Sequence, residues 1–221
     1  MWSSKFTWGG LNPPGEGELV VIGPNQHIYF DAVNTPVLKG IIIQGGSLIF
    51  DDNQDVSLNA EYILILDGGK LQIGTEEKPF VNKATITMFG SVRSTELPIY
   101  GAKVIGIRNG TLDLHGKPVG VTWTNLGATA KQGTNKIVLK ESVDWPIGSL
   151  IAIATTGDKL SPGESETAFI TAKSGKELTL DKPLEYTHLS EERTVGSGEN
   201  LYTVNVKAEV GLLSRNVLFK G

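Results

Sequence analysis

Two histidines and two acidic residues are the side chains of this sequence best suited to chemistry. Asp113 and His115 stand two positions apart, and Glu166 and His188 follow later in the chain. A pair of carboxyl groups about 5–10 Å apart can cleave a glycosidic bond, with one group acting as acid and the other as base or nucleophile. The alternative is structural: Asp113 and His115 would form hydrogen bonds at a chain corner, and Glu164 and Glu166 would lie on a solvated loop.

A cluster of acidic residues suggests a possible cation site. Asp51, Asp52 and Asp55 lie within five positions, and Ca²⁺ prefers clustered oxygen ligands. The cluster departs from the EF-hand loop because Val56 stands where that loop has glycine. The alternative is a solvated acidic turn, in which case no metal or other cofactor is expected.

One position fits a covalent modification. Asn109, Gly110 and Thr111 form the chain's single N-x-S/T acceptor sequence for N-linked glycosylation. The alternative is that Asn109 serves only as the first residue of an Asn-Gly turn.

Composition and missing motifs exclude several functional classes. The sequence lacks the G-x-S-x-G, P-loop and H-E-x-x-H motifs. Its net charge is −4, and it has no basic run that would favour nucleic acid as a partner. It contains no cysteine, and no apolar stretch reaches the roughly 20 residues of a membrane-spanning helix. No signal-peptide pattern is visible either. The last residues, 216–221, stop at the end of an apparent strand, so we expect the chain to be a piece of a longer protein.

Repeated apolar runs that end in glycine predict the elements that position these residues. The corner residues Gly45, Gly68, Gly90 and Gly110 are 23, 22 and 20 residues apart. Such short units cannot bury their own apolar faces and must stack on one another. The sequence therefore predicts an all-β fold, a right-handed parallel β-helix or solenoid.

Changes in pattern divide the chain into four segments. Residues 1–36 are expected to cap the solenoid, with Trp2 and Trp8 packed against it or, alternatively, exposed as a sugar-binding platform. Residues 37–120 form the rungs. Short strands at hairpin spacing predict an antiparallel, barrel-like insert over 121–195. Residues 196–221 are expected to return to the first rung of a following β-helix.

Several of these motifs together resemble the eight-glycine (G-eight) domain family. The resemblance rests on Trp2, Trp8–Gly10 and Pro14, and on the stretches 38–41, 71–76, 79–80 and 110–116. It continues through the region that follows this domain in large family members, at Trp123, 143–145, Glu166, 183–188 and 209–217. Among members of this family, the chain most resembles fibrocystin-like receptors, which are very large single-pass cell-surface proteins. It resembles the hyaluronidases that induce cell migration more distantly.

The resemblance implies an extracellular glycoprotein module of a membrane receptor. Such a module would be structural or adhesive, with extracellular proteins, glycosaminoglycans or the rest of the parent β-helix as partners. The alternative implied by the distant members is binding or cleavage of hyaluronan, and Asp113, His115, Glu166 and His188 would then be the residues to test. Ser149 stands where an acidic residue is common in the family, and the long β-helix of the cleaving members is missing. The chain itself is therefore not expected to be an enzyme.

Overall fold

The computed structural model describes all 221 residues, and they form strands and turns without an α-helix. The chain divides into two compact units. The first contains residues 1–118 and 215–221, and the second contains residues 119–214. We refer to them as the solenoid and the barrel.

Twenty strands make up the two units, and two short 3-10 turns lie at Lys5–Trp8 and Pro162–Glu164. The solenoid strands are β1 (Leu19–Ile22), β2 (His27–Phe30), β3 (Val37–Leu38), β4 (Gly40–Gln44), β5 (Ser47–Phe50), β6 (Val56–Ala60), β7 (Tyr62–Leu66), β8 (Lys70–Ile73), β9 (Ala84–Met88), β10 (Val104–Arg108), β11 (Thr111–Leu114) and β20 (Val217–Lys220). The other strands are β12 (Trp123–Asn125), β13 (Lys136–Val138), β14 (Leu150–Ile153), β15 (Glu166–Ser174), β16 (Glu177–Leu180), β17 (Ser190–Ser197), β18 (Asn200–Lys207) and β19 (Glu209–Leu212).

The solenoid consists of three four-stranded parallel sheets and four stacked rungs. The sheets have the strand orders β1-β4-β7-β10, β2-β5-β8-β11 and β3-β6-β9-β20. In-register stacking places the apolar side chains of successive rungs in columns, as Ile41 and Ile63 illustrate. Alternate side chains point inward and form one apolar core, in which Ile41, Ile63 and Leu71 have no solvent exposure. The predicted parallel β-helix is confirmed.

Stacking is closest at the corner between the first and second sheets. Gly46, Gly69 and Gly110 each precede a strand of the second sheet. A Cβ atom at Gly46 would overlap the carbonyl oxygen of Gly23, and one at Gly69 would overlap that of Ile43. A Cβ at Gly110 would also crowd the rung beneath it. Glycine is needed at this corner because neighbouring rungs leave no space for a side chain.

The fourth rung is assembled from two distant parts of the sequence. Strands β10 and β11 supply its first two sides, and β20 supplies the third by pairing with β9. The Asn216 amide group joins these parts, because its Oδ1 accepts a hydrogen bond from the backbone N–H of Lys117, which follows β11, at 2.8 Å. Its Nδ2 also attaches the start of β20 to the third rung by donating to the carbonyl oxygens of Phe80 and Asn82 at 2.6 and 2.8 Å. The barrel is therefore an insertion within the fourth rung.

The barrel is an antiparallel sheet with the strand order β12-β19-β14-β15-β16-β13. Its edge strands meet at a bridge between Leu126 and Leu139, where backbone hydrogen bonds of 2.8 Å run from Gly127 to Val138 and from Lys140 to Asn125. Inward residues such as Ile151 and the fully buried Trp145 fill a separate core. Strands β17 and β18 form a two-stranded hairpin. The antiparallel, barrel-like insert expected from the sequence is therefore present.

Parts of the predicted organisation differ from the structure. Gly90 follows β9 of the third sheet and is not equivalent to Gly45, Gly68 and Gly110, so the third of the four predicted repeats was wrongly aligned. The predicted cap, residues 1–36, contains β1 and β2 of the first rung. Only Trp2 and its neighbours resemble a cap, since Trp2 is buried and packs edge-on against Phe30 at 5.2 Å between ring centroids.

The segment 196–221 also differs from its prediction. Only β20 joins the solenoid, whereas β19 lies inside the antiparallel sheet between β12 and β14. The sequence of β19 alternates between exposed and buried positions, with Val210 and Leu212 facing the barrel core. That alternation fits a sheet with one face in solvent better than a rung covered on both faces.

We predict that Gly69→Ala destabilises the solenoid by about 2 kcal/mol or more, because the added methyl group has no space. The backbone of Gly69 has a negative φ, so steric overlap with the neighbouring rung is the cause. Gly15→Ala is the matched control, since a Cβ there meets nothing closer than the Glu18 side chain at 3.9 Å. Urea unfolding of both variants measures the effect, and equal stability would show that the corner tolerates a side chain.

Candidate functional site

Glu166 and His188 form a buried pair inside the barrel. Their Oε1 and Nε2 atoms are 2.9 Å apart, and the two side chains are 6% and 1% exposed. Glu166 opens β15, and its carboxylate also accepts hydrogen bonds from the backbone N–H groups of Glu185 and Tyr186 at 2.7 and 2.9 Å. The other ring nitrogen of His188 lies 2.9 Å from the carbonyl oxygen of Ala154. The pair therefore connects three segments of the barrel.

The surroundings of Glu166 determine its charge. Burial alone would raise its pKa, but hydrogen bonds from Glu185, His188 and Tyr186 outweigh burial and lower the pKa below its ordinary value. The carboxylate is therefore ionised at neutral pH. An ionised carboxylate can only accept hydrogen bonds, so the Nε2 atom of His188 donates to Glu166, while its Nδ1 atom lies beside the carbonyl oxygen of Ala154.

These contacts make Glu166 and His188 a structural, hydrogen-bonded pair. Both oxygens of Glu166 already accept hydrogen bonds, and neither side chain is accessible to a substrate. The prediction that Glu166 lies on a solvated loop is wrong, because the residue begins a strand whose alternate side chains face the barrel core. Glu164 lies in the preceding 3-10 turn and is only partly exposed.

Asp113 and His115 form a second pair, on the outer side of the solenoid. Asp113 is held between Lys70 on the rung below, at 2.8 Å, and His115 Nε2, at 2.9 Å. The hydrogen bond from Lys70 is the main reason that the pKa of Asp113 is lowered, with His115 adding to the effect. An ionised, doubly engaged carboxylate is a poor proton donor. This geometry favours the corner hydrogen-bonding alternative.

The four candidate residues do not form one site within either unit. Asp113 and His115 belong to the solenoid, whereas Glu166 and His188 belong to the barrel. In each unit the acidic residue contacts a histidine. The partner of Asp113 on the neighbouring rung, Lys70, was not anticipated. An alignment of the repeats could have found this contact. It places Lys70 beside Thr111, which lies two positions before Asp113 on the same face of β11.

The acidic cluster at residues 51–55 connects two rungs. The Asp52 carboxylate accepts hydrogen bonds from the backbone N–H groups of Val81 and Asn82 at 2.8 and 2.9 Å, and Asp55 accepts one from Lys83 at 2.9 Å. Asp51 accepts hydrogen bonds from the side chain of Asn53. No three His, Cys, Asp or Glu side chains are arranged to hold a metal ion. Calcium binding by Asp51, Asp52 and Asp55 stays a prediction.

Comparison with known proteins places these units in a family. The family model of the G8 domain matches residues 7–127, which is more than half of the chain. The chain belongs to the G8, or eight-glycine, domain family. The G8 match therefore covers most of the solenoid and the first strand of the barrel.

Similarity to individual proteins extends through both units. Human fibrocystin-L is 52% identical over the whole chain and mouse fibrocystin 40%, and in each case the match covers 5% of the relative. A G8 domain-containing protein of Dictyostelium discoideum is 27% identical over the whole chain and 15% of its own length. The chain thus spans a small fraction of its curated relatives. These relationships fit the prediction that the chain is not an enzyme.

We predict that Glu166→Gln destabilises the barrel by about 1–3 kcal/mol at neutral pH, because it removes the buried carboxylate that accepts hydrogen bonds from Glu185, Tyr186 and His188. Glu177→Gln is the control and is expected to have little effect, since its partner Lys136 is largely exposed. Chemical unfolding of the two variants measures the difference. A Glu166→Gln protein as stable as the unsubstituted chain would refute the structural role.

The same pair predicts a pH dependence of stability. The folded-state pKa of Glu166 is lowered, so its stabilising contribution is complete above the unfolded pKa of about 4.3. That contribution is lost as the pH falls from there through the folded-state pKa. The stability difference between the unsubstituted chain and Glu166→Gln should therefore shrink on acidification. Thermal unfolding across this range tests the prediction, and a difference that grows with acidity would contradict it.

Proposed function

We propose that this chain is a structural and adhesive module in the extracellular portion of a large single-pass cell-surface receptor. The observation that carries the proposal is full-length similarity to human fibrocystin-L, at 52% identity, within a relative about twenty times longer. The module would present the outer surface of its β-helix to extracellular proteins or glycans. No helix in the structure has the length and apolar character needed to cross a membrane.

The geometry of the conspicuous polar residues supports a scaffold. Glu166 and His188 stabilise the barrel interior, and Asp113 is engaged by neighbours on two rungs. The carboxylates of Asp52 and Asp55 accept hydrogen bonds from backbone N–H groups of the next rung. The residues that could have supported catalysis thus have structural partners.

The fourth rung supports further β-helix of the parent protein as a partner. Its inward side chains Ile107, Leu114 and Phe219 are 46%, 37% and 42% exposed. The residues that align with them on the third rung are fully buried, namely Ile65, Ile73 and Ile86. An additional rung of the same kind would cover these apolar side chains and pair with the open strand edges, which otherwise favour association.

Hyaluronan or another glycosaminoglycan is the alternative partner. An acidic polymer needs a continuous basic surface. Two lysines of the solenoid, Lys39 and Lys70, are ion-paired with Glu61 and Asp113. This pairing reduces the positive charge available to the polymer, so we favour a scaffold that binds proteins.

A titration separates these possibilities. We expect hyaluronan and heparan sulfate fragments to give no saturable signal by calorimetry at low salt, where charge screening is weakest. The titration is done with and without calcium, and the mixtures are checked for shortened products. Saturable binding would favour the glycosaminoglycan alternative, and Lys39→Ala and Lys70→Ala variants would then identify the surface.

A cellular experiment tests the adhesive role. Deletion of this region from the full receptor is expected to reduce cell-surface contacts while the receptor still reaches the plasma membrane. Surface labelling provides the control for delivery. Unchanged contact formation by a normally delivered deletion variant would contradict the proposal.

A further inference from the structure

Asn109 occupies an exposed corner of the fourth rung, between β10 and β11. Its backbone is left-handed, with φ of 51°. The register of the first sheet aligns this position with Asp67 and Gly45 on the lower rungs, where φ is 47° and 74°. The corner therefore needs a residue that tolerates positive φ, and asparagine, aspartate and glycine all meet that requirement.

The side chain of Asn109 differs from those of other asparagines in the solenoid. Asn59, Asn82 and Asn216 use their amide groups to link backbone segments of neighbouring rungs. One rung below Asn109, the Asp67 carboxylate accepts a hydrogen bond from Gln44 at 2.9 Å. The Asn109 amide forms no side-chain hydrogen bond and is exposed to solvent, so the fold uses only its backbone.

The second residue required for glycosylation is also accessible. Thr111 begins β11 and is exposed, while its backbone N–H pairs with the carbonyl oxygen of Gly69 at 2.9 Å. The acceptor sequence requires a hydroxyl residue two positions after asparagine, and any residue except proline between them. Gly110 meets the second condition. Both side chains that an oligosaccharyltransferase must recognise are thus exposed and form no side-chain hydrogen bond.

We propose that Asn109 carries an N-linked glycan at this corner of the solenoid. The Asn109 Nδ2 atom forms a bond to the anomeric carbon of a lipid-linked oligosaccharide as the bond from that carbon to the diphosphate oxygen breaks. The lipid diphosphate leaves, and the proton lost from Nδ2 passes to a base of the transferase. The glycan projects from the corner into solvent because the amide is exposed there. It excludes protein partners from this corner, so the adhesive surface lies on other parts of the module. This inference rests on the proposed function, since the parent must pass through the secretory pathway.

The experiment supplies that pathway independently of the native protein. The chain is expressed in human cells behind a cleavable secretion signal and compared with Asn109→Asp, Thr111→Ala and Thr111→Ser. Asn109→Asp is the matched control, because Asp67 shows that aspartate fits the same corner with positive φ. The intact mass of each chain before and after digestion with peptide N-glycosidase F reports attachment, since only a glycosylated chain loses mass. Peptide mass spectrometry then locates the glycan in the unsubstituted chain, where the enzyme converts a glycosylated asparagine to aspartate.

We expect the unsubstituted chain and Thr111→Ser to carry one glycan, and Asn109→Asp and Thr111→Ala to carry none. Chain produced in bacteria, which keeps an unmodified Asn109, and Asn109→Asp should melt at the same temperature, because the Asn109 amide forms no side-chain hydrogen bond. A secreted, folded chain with unmodified Asn109 would overturn the inference and leave the proposed function intact. Glycan attachment here combined with an intracellular location of the full parent would contradict the proposed function instead.

Discussion

The close approach of successive rungs at one corner is the constraint on which the solenoid depends. Parallel strands in neighbouring rungs lie about 4.8 Å apart, and at the corner the backbones leave no space for Cβ atoms at Gly46 and Gly69. This contact fixes the register, and the register in turn stacks the apolar side chains in columns. It also determines which polar groups meet: Lys70 reaches Asp113, and Asp52 reaches the backbone at Val81, because each pair lies on adjacent rungs.

The same register explains how an entire barrel can interrupt the solenoid. The fourth rung needs a third strand, and β20 provides it after the insertion. Within the barrel, the ionised Glu166 and its hydrogen-bonding partner His188 connect β15, the end of β14 and the segment before β17. The polar residues that first suggested catalysis thus have structural roles. Glu166 and His188 connect segments of the barrel, and Asp113 connects neighbouring rungs of the solenoid. A scaffold that presents its outer surface therefore accounts for these polar residues, and no catalytic role is needed to explain them.

The sequence predicted the first two sheets well because their strands are continuous apolar runs that end in glycine. The third sheet was harder, since β3 and β6 lack such runs and glycine corners, and Gly90 was consequently assigned to the wrong repeat. Pairings across a long separation, such as Asn216 with Phe80, leave no local signal. For the candidate site, the sequence identified Glu166 and His188 but not their burial, because burial depends on how the antiparallel strands pair.

The central structural claim is that Asn216 joins the two halves of the fourth rung. The most direct measurement is amide hydrogen exchange of Asn216→Ala, with Asn205→Ala in the exposed β17–β18 hairpin as control. We expect faster exchange over β20 and residues 80–84 in Asn216→Ala, with unchanged protection in the barrel strands β14 to β16. Unchanged protection of β20 and residues 80–84 would contradict the claim that this side chain holds the returning strand in the solenoid.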